Sequence, residues 1–180
     1  SKDLRGRSFS NSEILRLRTS CFAQDNKWIT VEMITILTVG KNKDQALQGL
    51  IDEYLKRLKG DVTITEIAPP NCSDAERKIR EAELLRAAIP PKSIVIALDE
   101  RGKTMDSPAF AAKLEQLQQQ GRLVFLIGGA DGLDQSLRDA AQLTLCFGAM
   151  TWPHMLVRLM LVEQLYRAAT ISAGHPYHRV

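Results

Sequence analysis

A chain of 180 residues, 44% hydrophobic and 25% charged, has the length and mixture of one globular domain, alone or with an appendage. Its three cysteines, Cys21, Cys72 and Cys146, are scattered and form no C-x-x-C pair, which argues against a disulfide framework or a cysteine-rich zinc site and for a reducing, cytoplasmic setting. The net charge of +3 is too small for a strong nonspecific nucleic-acid binder, and no run of about 18 uncharged apolar residues offers a membrane span.

Residues 1–32 carry six Lys/Arg against four Asp/Glu and show no regular pattern; they read as an N-terminal extension to a domain at residues 33–180. They also lack the apolar core of a secretory signal. The first regular pattern starts at Met33, where Ile34-Thr35-Ile36-Leu37-Thr38-Val39-Gly40 predicts a buried strand ending in glycine. Helical and strand-like patterns then alternate: helix 44–58, strand 62–67, helix 75–88, strand 93–98, helix 107–119, strand 122–127, helix 133–141 and strand 143–147. Such strict alternation predicts an α/β fold, a parallel sheet with helices on both faces.

Ser107-Pro108 has the form of a helix start, a capping hydroxyl followed by proline where a missing N–H costs nothing. Residues 99–106 are therefore expected to be a loop leaving the carboxyl end of a strand, where open α/β sheets place ligands. The last helix, residues 155–173, would be about 28 Å long and is apolar on nearly every side, with Met155, Leu156, Val157, Leu159, Met160, Leu161, Val162 and Leu165. A helix apolar all round needs cover all round. Its own sheet can cover one side, and a second copy of the chain would cover the other, which predicts a homodimer.

Three segments could carry chemistry. Ile127-Gly128-Gly129-Ala130-Asp131-Gly132 is a strand-to-helix turn whose glycines let a ligand approach the main chain. It matches neither the dinucleotide nor the P-loop pattern, and a tight structural turn explains it equally well. Phe147-Gly148-Ala149-Met150-Thr151-Trp152-Pro153-His154 offers backbone donors and acceptors in an apolar wall, suited to a purine ring, with Thr151 or His154 as a helix cap in the plainer reading. The tail, His175-Pro176-Tyr177-His178-Arg179-Val180, combines a stacking ring, a group that titrates near neutrality and a charged donor fork, a set fitted to a base and a phosphate. Two histidines without further ligands do not make a metal signature.

Taken together, Val39-Gly40, Ala97-Leu98-Asp99-Glu100-Arg101-Gly102-Lys103, Leu126-Ile127-Gly128-Gly129, Pro153-His154, Leu165-Tyr166-Arg167 and the tail resemble the SPOUT methyltransferases. The similarity is greatest to their small RlmH group, which methylates N3 of a pseudouridine in large-subunit (23S) ribosomal RNA. The resemblance covers residues 33–180. It implies a C-terminal trefoil knot, an exception to the rule that chains avoid threading loops. It also implies S-adenosyl-L-methionine as cofactor, held near Leu98, Gly128, Phe147, Gly148, Ala149, Met150, Thr151 and Trp152.

On this reading the partners are the ribosome and its large-subunit RNA, recognised largely by shape because residues 33–180 are nearly neutral. His178 is the candidate base or proton relay, Arg179 stabilises an oxyanion or holds a phosphate, Tyr177 stacks on or orients the base, and Arg167 positions the tail. Two other readings stand beside it: a non-catalytic ribosome-binding module of the same fold, and an α/β enzyme acting on a small nucleotide.

Overall fold

The computed structural model describes residues 31–179, Lys59 excepted. The expected extension at residues 1–32 thus lies outside the described residues, but for the two that begin the first strand. The elements run β1 (Val31–Val39), α1 (Gln45–Arg57), β2 (Gly60–Ile67), α2 (Asp74–Ala88), β3 (Ile94–Thr104), α3 (Ser107–Gln118), β4 (Leu123–Ile127), α4 (Gln135–Ala140), β5 (Leu143–Cys146) and α5 (His154–Ser172). The strands make one parallel sheet in the order β2-β1-β4-β3-β5.

Side-chain alternation along each strand sorts the core into two layers. Ile34, Ile36, Ile96, Leu123, Phe125 and Ile127 point to one face, where α1, α3 and α5 bury Ile51, Phe110, Leu114, Leu161 and Leu165. Leu37, Val39, Ala97, Val124 and Leu126 point to the other, covered by Ala82 and Leu85 of α2 and Leu137 of α4. All five residues of β4, Leu-Val-Phe-Leu-Ile, are buried, as a central strand of a doubly covered parallel sheet requires. Each such fully buried aliphatic or aromatic side chain contributes about 1.5–3 kcal/mol.

Two expectations at the helix starts are corrected. The cap of α3 is Asp106, whose carboxylate accepts from the Ala109 N–H at 2.8 Å, while the Ser107 hydroxyl turns away to Gln164 Oε1 at 3.0 Å. A carboxylate there also meets the positive end of the helix dipole. At α5 the capping position falls to Pro153 with no side-chain bond, so neither Thr151 nor His154 is a cap.

The larger correction concerns residues 99–104, which are strand rather than loop. β3 pairs with β5 twice: Leu98 is opposite Leu145, and five residues on Lys103 is opposite Leu145 again, with Thr104 beside Cys146. One strand therefore runs along both edges of β5, and the chain between crosses over it. A side chain on Gly102 would stand 2.6 Å from the Leu145 carbonyl carbon and 2.8 Å from its nitrogen, so only glycine fits the crossing.

Parallel pairing brings the carboxyl ends of all five strands to one rim. Arg158 of α5 closes part of it. Only 1% exposed, its guanidinium donates to the Val39 and Gly40 carbonyls, both at 2.8 Å, and to Glu66 Oε1 at 2.9 Å. Arg158 is thereby a buried polar anchor of α5, because it donates to carbonyls at the end of β1.

Gly102→Ala is expected to destabilise the fold by about 2 kcal/mol or more, since the added methyl meets backbone and not a movable side chain. Urea denaturation would measure it, and an unchanged midpoint would contradict the crossing.

Candidate active site

The rim holds a cavity of about 490 Å³, within the range of small-molecule sites. Leu98, Asp99 and Glu100 line it from β3, Gly128, Gly129 and Gly132 from the turn after β4, and Phe147, Met150, Thr151, Trp152 and His154 from the segment between β5 and α5. Of the residues expected at a cofactor, Leu98, Gly128, Phe147, Met150, Thr151 and Trp152 are therefore gathered here. Gly148 instead lines a neighbouring cavity, and Ala149 is exposed and lines neither.

Local bonds fix the walls. Asp99 accepts from the Arg101 N–H at 3.0 Å and pairs with Arg138 of α4 at 3.3 Å, both side chains about nine-tenths buried. Arg138 also donates to the Leu133 carbonyl and so ties α4 to the cavity's edge. The Thr151 hydroxyl donates to Glu100 Oε2 at 3.0 Å and links two walls. The glycine turn folds back on itself, with the Gly132 N–H on the Gly129 carbonyl at 3.1 Å. A side chain on Gly128 would stand 2.5 Å from the Gly132 carbonyl carbon.

His154 opens α5 half-buried, near Gly40. Burial first, and the adjacent Arg158 second, hold its imidazole below the ordinary histidine value and so keep it neutral at pH 7.

The tail docks on its own protomer. The Tyr177 hydroxyl donates to Glu163 Oε1 at 3.0 Å and lies 3.4 Å from the Tyr54 hydroxyl. Its ring meets Tyr166 edge-on at 4.8 Å, and the Arg167 guanidinium sits 4.8 Å over it. Arg167 in turn donates to Glu163 Oε1 at 2.5 Å and lies 3.5 Å from His178 Nδ1. Burial, then the bonds to Tyr54 and Glu163, push the Tyr177 phenol far above its usual value, so it stays a donor.

Arg167, Tyr177 and His178 are thus together as expected, while Arg179 is exposed. Tyr177 has its hydroxyl on Glu163 and the Arg167 guanidinium over its ring, so within the protomer it anchors the tail. His178 lines the second cavity, about 830 Å³, with Leu50, Tyr54, Leu159, Met160 and Glu163. Leu145, Cys146 and Phe147 border both cavities and form the wall between them.

Sequence reasoning missed Glu163, Tyr54 and Arg138. Glu163 and Arg167 stand four apart on one helix and could have been read as an ion pair, but nothing local ties Tyr54 to a ring 123 residues away.

A knot-type crossing at β5, glycine-lined ligand space at the rim and a docked C-terminal tail define a class. The chain belongs to the SPOUT methyltransferases, since the family described as "Predicted SPOUT methyltransferase" matches residues 33–178. Within that class it is similar to proteins named "Ribosomal RNA large subunit methyltransferase H". Those of Rhizobium leguminosarum bv. trifolii and Dinoroseobacter shibae are 56% identical over 158 residues and 49% over 154, each covering 82% of this chain and 99% of the relative. Among solved structures, a probable methylase family protein from Haemophilus influenzae shares the fold at a TM-score of 0.52 and 12% identity, over 84% of this chain and 72% of that one. A probable methyltransferase from Bordetella pertussis does so at 0.51 and 11%, over 77% and 97%.

The family's methyl donor, S-adenosylmethionine, fits the first cavity by chemistry. Leu98, Phe147, Met150 and Trp152 provide apolar walls for a purine, the glycine turn gives main-chain access, and Glu100 offers a carboxylate to a cationic ligand.

Glu163→Ala should cost about 1 kcal/mol, because it unpairs Arg167 and frees the Tyr177 hydroxyl at a partly exposed site. Faster hydrogen exchange across residues 175–179 is the accompanying signature. For His154 the unfolded chain binds a proton at the ordinary histidine value and the folded chain only below it. Stability is therefore full above that value and declines as pH falls through the lower folded one. His154→Gln is expected to remove that decline, seen as a melting-temperature gap that changes between pH 7 and pH 5.

Proposed function

We propose that this methyltransferase transfers the methyl group of S-adenosylmethionine to N3 of a pseudouridine in large-subunit (23S) ribosomal RNA, on the assembled ribosome. The observation that carries the reading is identity of about half with ribosomal RNA large subunit methyltransferases H along nearly their whole length. Residues 33–180 form the catalytic domain and residues 1–32 an extension to it. No described helix is long and apolar enough to cross a membrane, in keeping with a cytoplasmic ribosome-directed enzyme.

When bound, the donor supplies an activated methyl on a sulfonium, so the protein's tasks are to position the acceptor and manage its proton. Glu100 would meet the cationic end of the donor, and the backbone at Gly128, Gly129, Phe147 and residues 150–152 would frame its purine. His178 takes the N3 proton as the bond forms, and Arg179 stabilises the negative charge that develops on O2 or O4. Tyr177, Glu163 and Arg167 hold these two residues on α5.

A homodimer completes this arrangement. Within one protomer His178 lies across the residue 145–147 wall from the cofactor cavity. Among the described residues nothing covers the apolar side of α5, with Leu156 40% exposed beside the half-buried Met155 and Met160, and Leu50 of α1 is 46% exposed. A second copy docked on α1 and α5 covers these side chains and brings one subunit's tail to the other's cavity.

The test is methyl transfer from labelled S-adenosylmethionine to ribosomes lacking the modification, beside free ribosomal RNA, with the labelled base mapped. Label at a large-subunit pseudouridine, on ribosomes only, is the expected result; label at another base or on naked RNA alone contradicts it. His178→Ala, Arg179→Ala and Tyr177→Phe should each lower transfer at least about tenfold, the loss of one well-placed group. Their S-adenosylmethionine affinity should stay within about twofold.

A further inference from the structure

Glu81, on α2, has no part in the chemistry above, yet it is a buried carboxylate at 4% exposure. Ionised groups are rarely placed there without a partner that repays the lost hydration. Its surroundings are the back of the glycine turn. A side chain on Gly129 would stand 3.0 Å from both Glu81 oxygens, so the absence of one is what lets the carboxylate reach the main chain. The carboxylate thus lies directly against the Gly129 backbone, whose N–H favours its charged form. Oε2 is buried with no partner among the described residues.

The charged groups that face Glu81 are Asp131 of the turn and Arg77 and Lys78 of its own helix. Arg77 is drawn toward Asp74 and Asp131, and Arg138 of α4 is turned to Asp99. The remaining neighbours across this layer, Leu37 and Val39 of β1 and Leu133 and Leu137 at α4, are apolar. The main chain of the turn is thus the partner that remains for the carboxylate.

We propose that Glu81 is a positioning residue for the methyl-donor cavity: gripping Gly129 from behind, it holds residues 128–132 in the form that lines the ligand space. This rests on assigning that cavity to S-adenosylmethionine. A buried carboxylate packed against the turn's backbone orders that wall before the ligand arrives. Burial, the largest influence on Glu81, raises its titration above the ordinary glutamate value, and the Gly129 N–H opposes the rise. The sign follows: the unfolded chain ionises at lower pH, so burying the carboxylate costs stability above the folded value and nothing below the unfolded one. The charge serves the loop at the expense of the fold.

The experiment uses the full chain labelled with ¹⁵N-glycine, as wild type, Glu81→Gln and Glu81→Asp. In the wild type the Gly129 amide signal should move with pH about a midpoint above that of free glutamate, and Glu81→Gln should abolish the movement. S-adenosylmethionine affinity, by calorimetry on either side of that midpoint, should weaken in the wild type as the carboxylate is protonated. Glu81→Gln should bind about tenfold more weakly at the higher pH, with that pH dependence gone and a melting temperature at or above wild type. Glu81→Asp should keep the pH dependence at reduced affinity.

Wild-type affinity in Glu81→Gln, a Gly129 titration that persists in it, or affinity and melting temperature falling together would each overturn the proposal. If the wild type binds no S-adenosylmethionine while the Gly129 titration still depends on Glu81, the grip on the turn stands and the cavity's assignment is what fails.

Discussion

β5 lies between two stretches of one other strand, and most of what the rim can do depends on that. Lys103 and Thr104 can return along β5 only because the backbone at Gly102 passes against Leu145 with no side chain between them. The crossing sets Asp99 and Glu100 at the cavity's edge, where Arg138 and Thr151 take hold of them. It also fixes where β5 emerges, and so the course of residues 147–153, of which Phe147 and residues 150–153 line the cavity before the chain turns into α5. Loosening the crossing would disturb the ligand space, the wall it shares with the second cavity and the root of the tail's helix together.

How much of this was legible beforehand differs by level. The ten elements and the two-faced parallel sheet follow from apolar periodicity, which is local and strong in stretches such as 34–39 and 123–127. The second half of β3 was not legible, because Asp99-Glu100-Arg101-Gly102-Lys103 is charged and glycine-bearing and carries no strand signal. Its pairing is imposed by a segment some forty residues further on. Asp106 lost out as the cap of α3 because Ser107-Pro108 is itself a plausible start; the choice turns on whether a carboxylate or a hydroxyl reaches the Ala109 N–H. The role of Arg158 was not legible either, because the carbonyls it serves lie more than a hundred residues earlier.

At the site, residue identities were easier to read than their company. The tail's Tyr177, His178 and Arg179 stand out by composition alone, and the family pattern marks them. That Tyr177 is held by Glu163, Arg167, Tyr54 and Tyr166 is tertiary knowledge, and it gives the residue an anchoring task that its identity alone did not show. Glu81 gave no signal in the sequence, since a glutamate in a charged helix reads as solvated. Only burial against Gly129 singles it out.

The open sheet ends in two unlike borders. Among the described residues β2 has β1 on one side only, and its exposed positions are Gly60, Asp61, Thr63, Thr65 and Glu66, polar or small residues that discourage another strand from adding there. At the opposite end β5 would be a short apolar strand with free N–H and C=O groups, an open template for aggregation, but its outer border is already taken by residues 103–104 of the same chain. The same short segment that closes the crossing therefore also shields the apolar edge of the sheet.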